Sequence, residues 1–92
     1  MNLFEARKLA KLLNLPPLVG NTLKEINEAE IIRASKLQAV PWYEENWDNF
    51  ISELDARFLP DDCLIDLRQS NLTQFWIQNR DMTFWELLEF FQ

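Results

Sequence analysis

Histidine is missing from this chain of 92 residues, and cysteine and glycine occur once each. Without His there is no imidazole to act as a general base near neutral pH or to bind a metal. With Cys63 alone there is no internal disulfide and no cysteine metal cluster. Cys63 follows Asp61 and Asp62, whose charges disfavour a thiolate and so discourage nucleophilic chemistry. With Gly20 alone there is no glycine-rich phosphate loop. No apolar run approaches the roughly eighteen residues that span a bilayer. The charges in "MNLFEARKLAKLL" interrupt the apolar core that a signal peptide requires. Of the usual catalytic groups only carboxylates remain, spread along polar faces. These absences lead us to expect a cytoplasmic protein that is not an enzyme and holds no cofactor or metal.

What is present is an uneven charge. Residues 1–40 carry six basic and four acidic side chains, a net of +2; residues 41–92 carry three arginines against eleven acids, a net of −8. Phosphate repels such a surface, which argues against direct nucleic-acid binding. A basic protein partner is favoured, because an acidic face steers it in. The length suits one domain, taken as residues 1–92.

The spacing predicts a helix over Leu3 to Leu13, with Asn2 as cap and Glu5 completing a capping-box-like pair. Leu3, Phe4, Leu9, Leu12 and Leu13 form its apolar side, and its basic side is a solvated face more often than a membrane contact. Pro16 and Pro17 end the helix, and "PLVG" reads as a very short strand. Thr22 with Glu25 opens a second helix that ends before Pro41. Its apolar residues spread around the wheel, so it is expected to be contacted on more than one side.

The stretch "PWYEENWDNF", residues 41–50, opens a third helix. Tyr43, Trp47, Phe50, Ile51, Leu54 and Phe58 fall on one helical stripe and read as core. Glu44, Glu45, Asp48, Glu53 and Asp55 lie on the other side. Acids at a helix start also complement the macrodipole, which is an alternative reason for Glu44, Glu45 and Asp48. After a Leu-Pro turn, "CLIDL" reads as a buried strand. Leu72 to Gln78 is expected as helix, with a strand as the alternative. Thr83 and Glu86 form a third capping box, placing Phe84 to Phe91 in a last helix. Phe75, Trp76, Phe84, Trp85, Phe90 and Phe91 are more aromatics than one small core needs, so some are expected at an interface.

The order of these pieces resembles the barstar family of small ribonuclease inhibitors. The family signature is a proline, an aromatic pair, then Asn, an apolar residue, Asp, a spacer and an apolar residue. Here these are Pro41, Trp42 with Tyr43, Asn46, Trp47, Asp48, Asn49 and Phe50. The resemblance covers residues 41–92, with residues 1–20 a divergent helix and turn. It implies a mostly helical α/β fold around a small parallel sheet, incomplete here because the family adds a final strand; an all-α fold is the alternative. It also implies that the helix after the proline plugs the basic active site of a ribonuclease, its carboxylates imitating phosphates. Tyr43, Asn46 and Asp48 match the family's binding segment. The sequence departs from the family at Glu45, where a Gly is usual, and at Ser52, where a second carboxylate is usual and which Glu53 or Asp55 would replace. The expected partner-binding set is therefore Trp42, Tyr43, Glu44, Glu45, Asn46, Asp48, Ser52 and Asp55. The expected partner is a basic protein, first of all a nuclease, with no membrane contact. The alternative function is an interaction or assembly subunit of the same fold, and self-association stays open.

Overall fold

The computed structural model describes residues 1–42 and 44–92. The described residues form six helices: α1 (Leu3–Leu12), α2 (Leu23–Leu37), α3 (Trp47–Ala56), α4 (Asp61–Gln69), α5 (Thr73–Gln78) and α6 (Phe84–Glu89). The starts of α1, α2 and α6 follow from side-chain caps. Asn2 Oδ1 accepts the Glu5 amide at 2.8 Å, and Asn2 Nδ2 donates to Glu5 Oε1 at 3.2 Å. Thr22 Oγ1 accepts the Glu25 amide at 3.2 Å, but the Glu25 carboxylate accepts from Gln74 of α5 instead of completing a box. Thr83 and Glu86 form the complete reciprocal box. Each cap satisfies amides that a helix start otherwise leaves open.

Two helix ends share one device. After α1, Leu15 N–H donates to Ala10 O at 2.9 Å and Asn14 N–H to Lys11 O at 3.2 Å, with Asn14 at φ 54. After α3, Leu59 N–H donates to Leu54 O at 3.0 Å and Phe58 N–H to Asp55 O at 3.1 Å, with Phe58 at φ 59. Both are Schellman turns, whose left-handed position favours Gly and tolerates Asn. Phe58 is neither, and its ring is 85% exposed. It therefore does not continue the core stripe expected from its spacing; the helix has ended and the backbone has reversed before it. Replacing Phe58 by Gly should stabilise the fold by about 1 kcal/mol, since left-handed geometry costs a residue with a Cβ that order of energy. Urea unfolding checks this, and a lower midpoint for Phe58→Gly would mean that the exposed ring supports the fold.

α2 packs between α1 and α5, and α4 packs on α6. Ala29, Ala34 and Leu37 of α2 are buried, and Ile26 and Ile32 pack partly buried against the core, as expected for a helix contacted on more than one side. In α1 only Ala6 is buried; Phe4 and Leu12 are mostly exposed, which narrows the apolar side expected there. The core joins Leu37, Val40, Phe50, Leu54, Leu59, Leu64, Leu67, Trp76, Phe84, Leu87 and Leu88. Trp76, 1% exposed, satisfies its indole N–H on Ser70 O at 3.0 Å.

The segment "CLIDL" is a helix and not the strand its composition suggested. Cys63, Leu64 and Leu67 are buried while Ile65 and Asp66 face outward, which is a period near 3.6 and not 2. Five residues are too few to separate the two periods. Asp61 and Asp62 in the first turn and Arg68 in the last complement the helix dipole and favour the helix. Among the described residues there is no β-strand. The only β pairing among them is an isolated parallel bridge between Val19 and Leu72, so "PLVG" contributes one residue to pairing. Val19 N–H donates to Asn71 O at 2.8 Å, and Thr73 N–H donates to Val19 O at 3.0 Å. The fold is thus mostly helical, as expected, and the small parallel sheet is not seen.

Gly20 is required beside this bridge. A Cβ there would lie 2.7 Å from Thr73 Oγ1 and 2.8 Å from Thr73 Cβ, and Thr73 is fully buried. Gly20→Ala should therefore cost roughly 1–3 kcal/mol, the usual range for overpacking. A Gly20→Ala melting temperature equal to the wild type would show that the Val19–Leu72 contact is dispensable.

Candidate functional site

The approach to α3 is a tight turn in which Glu44 N–H donates to Pro41 O at 2.7 Å and Trp47 N–H to Glu44 O at 3.0 Å. The helix proper begins at Trp47, later than the aromatic stripe suggested, so Glu44 and Glu45 precede it and only Asp48 is an acid of its first turn. Asn46 caps by position and makes no side-chain cap bond. Glu44, Glu45, Asn46, Asp48, Ser52 and Asp55 are all exposed. Asp48, Ser52 and Asp55 are spaced four and three apart, which stacks them on one face. The opposite face buries Phe50 and Leu54. Six of the eight expected partner-binding residues are thus exposed, Trp42 is half-buried, and Tyr43 lies outside the described residues.

The acids of this face are electrostatically unspent. Every acid before residue 41 is bonded: Glu5 to Asn2, Glu25 to Gln74, Glu28 to Arg80 and Glu30 to Arg7. Among the described residues, Glu44, Glu45, Asp48 and Asp55 have no ion pair; Asp61, Asp62 and Asp66 of α4 have none either. Of the three arginines of the C-terminal half, Arg57 and Arg80 pair with other acids and Arg68 lines the adjoining groove. Arg57 pairs with Glu53 at 3.1 Å and lies over the Trp85 ring at 4.3 Å. Arg80 crosses to Glu28 at 3.1 Å. Arg68 donates to Leu13 O and lies over the Trp42 ring at 4.8 Å. With these acids outnumbering the one cation, Arg68, that lies beside them without an ion pair, this surface keeps a net negative field that reaches a partner across about a Debye length, near 8 Å at physiological salt.

Trp42, the remaining residue of the expected partner-binding set, is anchored from within the fold. It is half-buried, donates its indole N–H to Leu37 O at 3.0 Å, and stacks on Trp47 with centroids 6.4 Å apart. Its body, pinned from below by that hydrogen bond and from above by Arg68, forms the floor of a groove between α3 and α4. The groove, about 180 Å³, is lined by Trp42, Trp47, Ile51, Asp61, Leu64, Ile65 and Arg68. The contribution of α4 was not anticipated, because a strand over "CLIDL" would have turned Ile65 to the same side as the buried Cys63. The signal that would have found it is the Asp61–Asp62 start with Arg68 at the other end. An apolar groove with one carboxylate, Asp61, and one guanidinium, Arg68, in its lining is suited to hold an aromatic or aliphatic side chain.

Two other features bear on function. Cys63 is fully buried; burial pushes its thiol pKa up, and the Asp66 and Asp62 carboxylates push it further, so it is a packing residue. The surplus aromatics at the end of the chain divide: Trp76 and Phe84 are core, Phe75, Trp85 and Phe91 are half-buried, and Phe90 is 56% exposed. Phe75, Phe90 and Phe91 line a second apolar cleft of about 300 Å³ with Leu72. Among the described residues no helix is long and apolar enough to cross a membrane. Compared with protein-family models, curated proteins and solved structures, the chain matches none.

Proposed function

We propose that this chain is a non-enzymatic acidic binding protein that occupies the basic cleft of a protein partner, in the manner of the barstar-like nuclease inhibitors. One observation supports the reading above the others: Glu44, Glu45, Asp48 and Asp55, on and just ahead of the helix whose Trp47 lines an apolar groove with Trp42, are exposed and, among the described residues, without ion pairs. A nuclease active site concentrates Arg and Lys to hold phosphates. Carboxylates at a helix start meet those cations with charge-assisted hydrogen bonds. Ser52, standing between Asp48 and Asp55, is a hydroxyl where the resembled family has a carboxylate. Asp55 supplies the second charge one helical turn further on. The likeness that carries this reading is the segment Pro41–Phe50 and its polar face, not a sheet. Residence in the cytoplasm accompanies it, where an immunity protein meets a nuclease before export.

The test is inhibition. Titrated into RNA cleavage by a basic ribonuclease of the barnase type, the chain should lower turnover with one-to-one stoichiometry. Undiminished cleavage across a panel of basic ribonucleases and deoxyribonucleases would reject the inhibitor reading.

A second reading, an interaction or assembly subunit, is favoured by the apolar cleft of Leu72, Phe75, Phe90 and Phe91. Leu72 and Phe90 are 63% and 56% exposed. Association through this cleft would be driven by apolar burial and would strengthen, not weaken, with added salt.

A further inference from the structure

A third concavity, made of elements other than α3 and α4, has the opposite electrostatic character. It lies between the end of α1, the Leu13–Pro17 connection and α2, and encloses about 230 Å³. Arg7, Lys11, Asn14, Glu30 and Arg33 supply its polar lining. Three cations face one carboxylate on a protein whose net charge is −6. Arg33 is the unusual member. It sits in the middle of α2 and is only 3% exposed. Its Nη1 donates to Pro16 O at 2.7 Å, which ties the proline turn to α2. Its Nε is buried and has no hydrogen-bond partner among the described residues. Burial disfavours the charged guanidinium and Glu30 favours it.

The tether to Pro16 alone does not account for an arginine. A single donor would serve it, whereas the guanidinium brings a planar fork of donors suited to carboxylate and phosphate. Leaving a buried donor unmade is costly, and buried donors as a rule have acceptors. Glu30 does not fill the role, because its Oε2 accepts from Arg7 Nε at 2.8 Å. Arg7 in turn is fixed by a second bond from Nη2 to Asn27 Oδ1 at 2.9 Å, so it is held in place at the rim. Lys11 lies one helical turn after Arg7, on the same face of α1 and exposed.

We infer that this cleft is a binding site for an oxyanion, a carboxylate or phosphate group, which pairs with the Arg33 guanidinium lining the cleft and is held at the mouth by Lys11 and Arg7. The site is separate from the acidic face and does not depend on the function proposed for it. A chain that docks by carboxylates on one surface thereby carries a small anion receptor on another.

The experiment follows the Arg33 side-chain Nε–H by proton–nitrogen NMR on the full chain. Sodium phosphate and sodium acetate are titrated separately, with chloride holding the ionic strength constant. The expected result is a saturable shift of the Arg33 Nε–H signal with at least one of the two anions. The anion bound more tightly identifies the ligand class as phosphate or carboxylate. In Lys11→Ala, whose side chain is exposed and unbonded, affinity should fall roughly fivefold or more through loss of one charge-assisted contact. Arg33→Lys, which keeps the charge and a donor for Pro16, should fold and lose the saturable shifts that binding produces in the backbone amides of Asn14 and Leu15, which line the cleft. No saturable shift with either anion up to tens of millimolar, or equal affinity in the wild type and Lys11→Ala, would overturn the assignment.

Discussion

Deleting residues 82–92 should convert the protein into an aggregating or oligomeric species. The segment carries α6, whose Phe84, Leu87 and Leu88 are 7%, 1% and 0% exposed and pack against the core. Phe84 and Trp85 also meet the Phe50 ring, with centroids 6.0 and 5.6 Å away, so the loss reaches across to α3. Burying one such side chain stabilises by about 1.5–3 kcal/mol, so three contribute roughly 5–9 kcal/mol. That is comparable to the whole stability of a small domain, about 5–15 kcal/mol. The truncation would also uncover the inward side of α4, with Leu64 and Leu67 beneath it. Apolar surface of that kind recruits further chains. Size-exclusion chromatography with light scattering distinguishes the outcomes. A well-folded monomer would show that α6 does not close the core.

The second large effect is expected on binding and not on folding. Asp48→Lys combined with Asp55→Lys reverses two exposed charges on one face of α3. Among the described residues neither carboxylate has an ion pair. The structural loss is limited to the helix-dipole contribution of Asp48, about 0.3–1 kcal/mol. Against a basic cleft, breaking a desolvated charge pair costs about 2–5 kcal/mol, or roughly thirtyfold to several thousandfold in Kd at 1.4 kcal/mol per decade. The two quantities are measured side by side, as melting temperature and as calorimetric Kd for the nuclease. Equal proportional losses would make these aspartates structural.

What could be read from the sequence follows a physical division. The helix starts at Asn2, Thr22 and Thr83 were legible, because a cap is a local event between residues three apart. The polar face of α3 was legible because Asp48, Ser52 and Asp55 recur at helical spacing while Phe50 and Leu54 mark the other side. "CLIDL" was not, because a short apolar run satisfies both periods and burial decides between them only in the folded chain. The same ambiguity hid the groove, since Ile65 joins Trp47 and Ile51 only when the segment is helical. Phe58 was misplaced for a different reason: its spacing continues the α3 stripe, and nothing in an aromatic residue announces a left-handed backbone. The anchoring of Trp42, by its hydrogen bond to Leu37 and its place under Arg68, could not be read from the sequence because both contacts exist only in the folded chain. The buried Arg33 was equally invisible, since an arginine in an amphipathic helix normally reads as solvated.

The central claim is that the acidic face of α3 recognises its partner through exposed charge. It is tested most directly by the salt dependence of that interaction. The chain, immobilised through its N-terminus, is used to isolate a nuclease from the native host, and Kd for the purified pair is then measured from about 0.05 to about 0.5 M salt. Recognition by exposed carboxylates predicts a Kd that rises on the order of a hundredfold over this range, because the Debye length shrinks from about 14 Å to about 4 Å. It also predicts that Asp48→Lys with Asp55→Lys flattens the dependence. A Kd that stays constant or improves with salt, and that is indifferent to the charge reversal, would contradict the account and move the function to the apolar cleft.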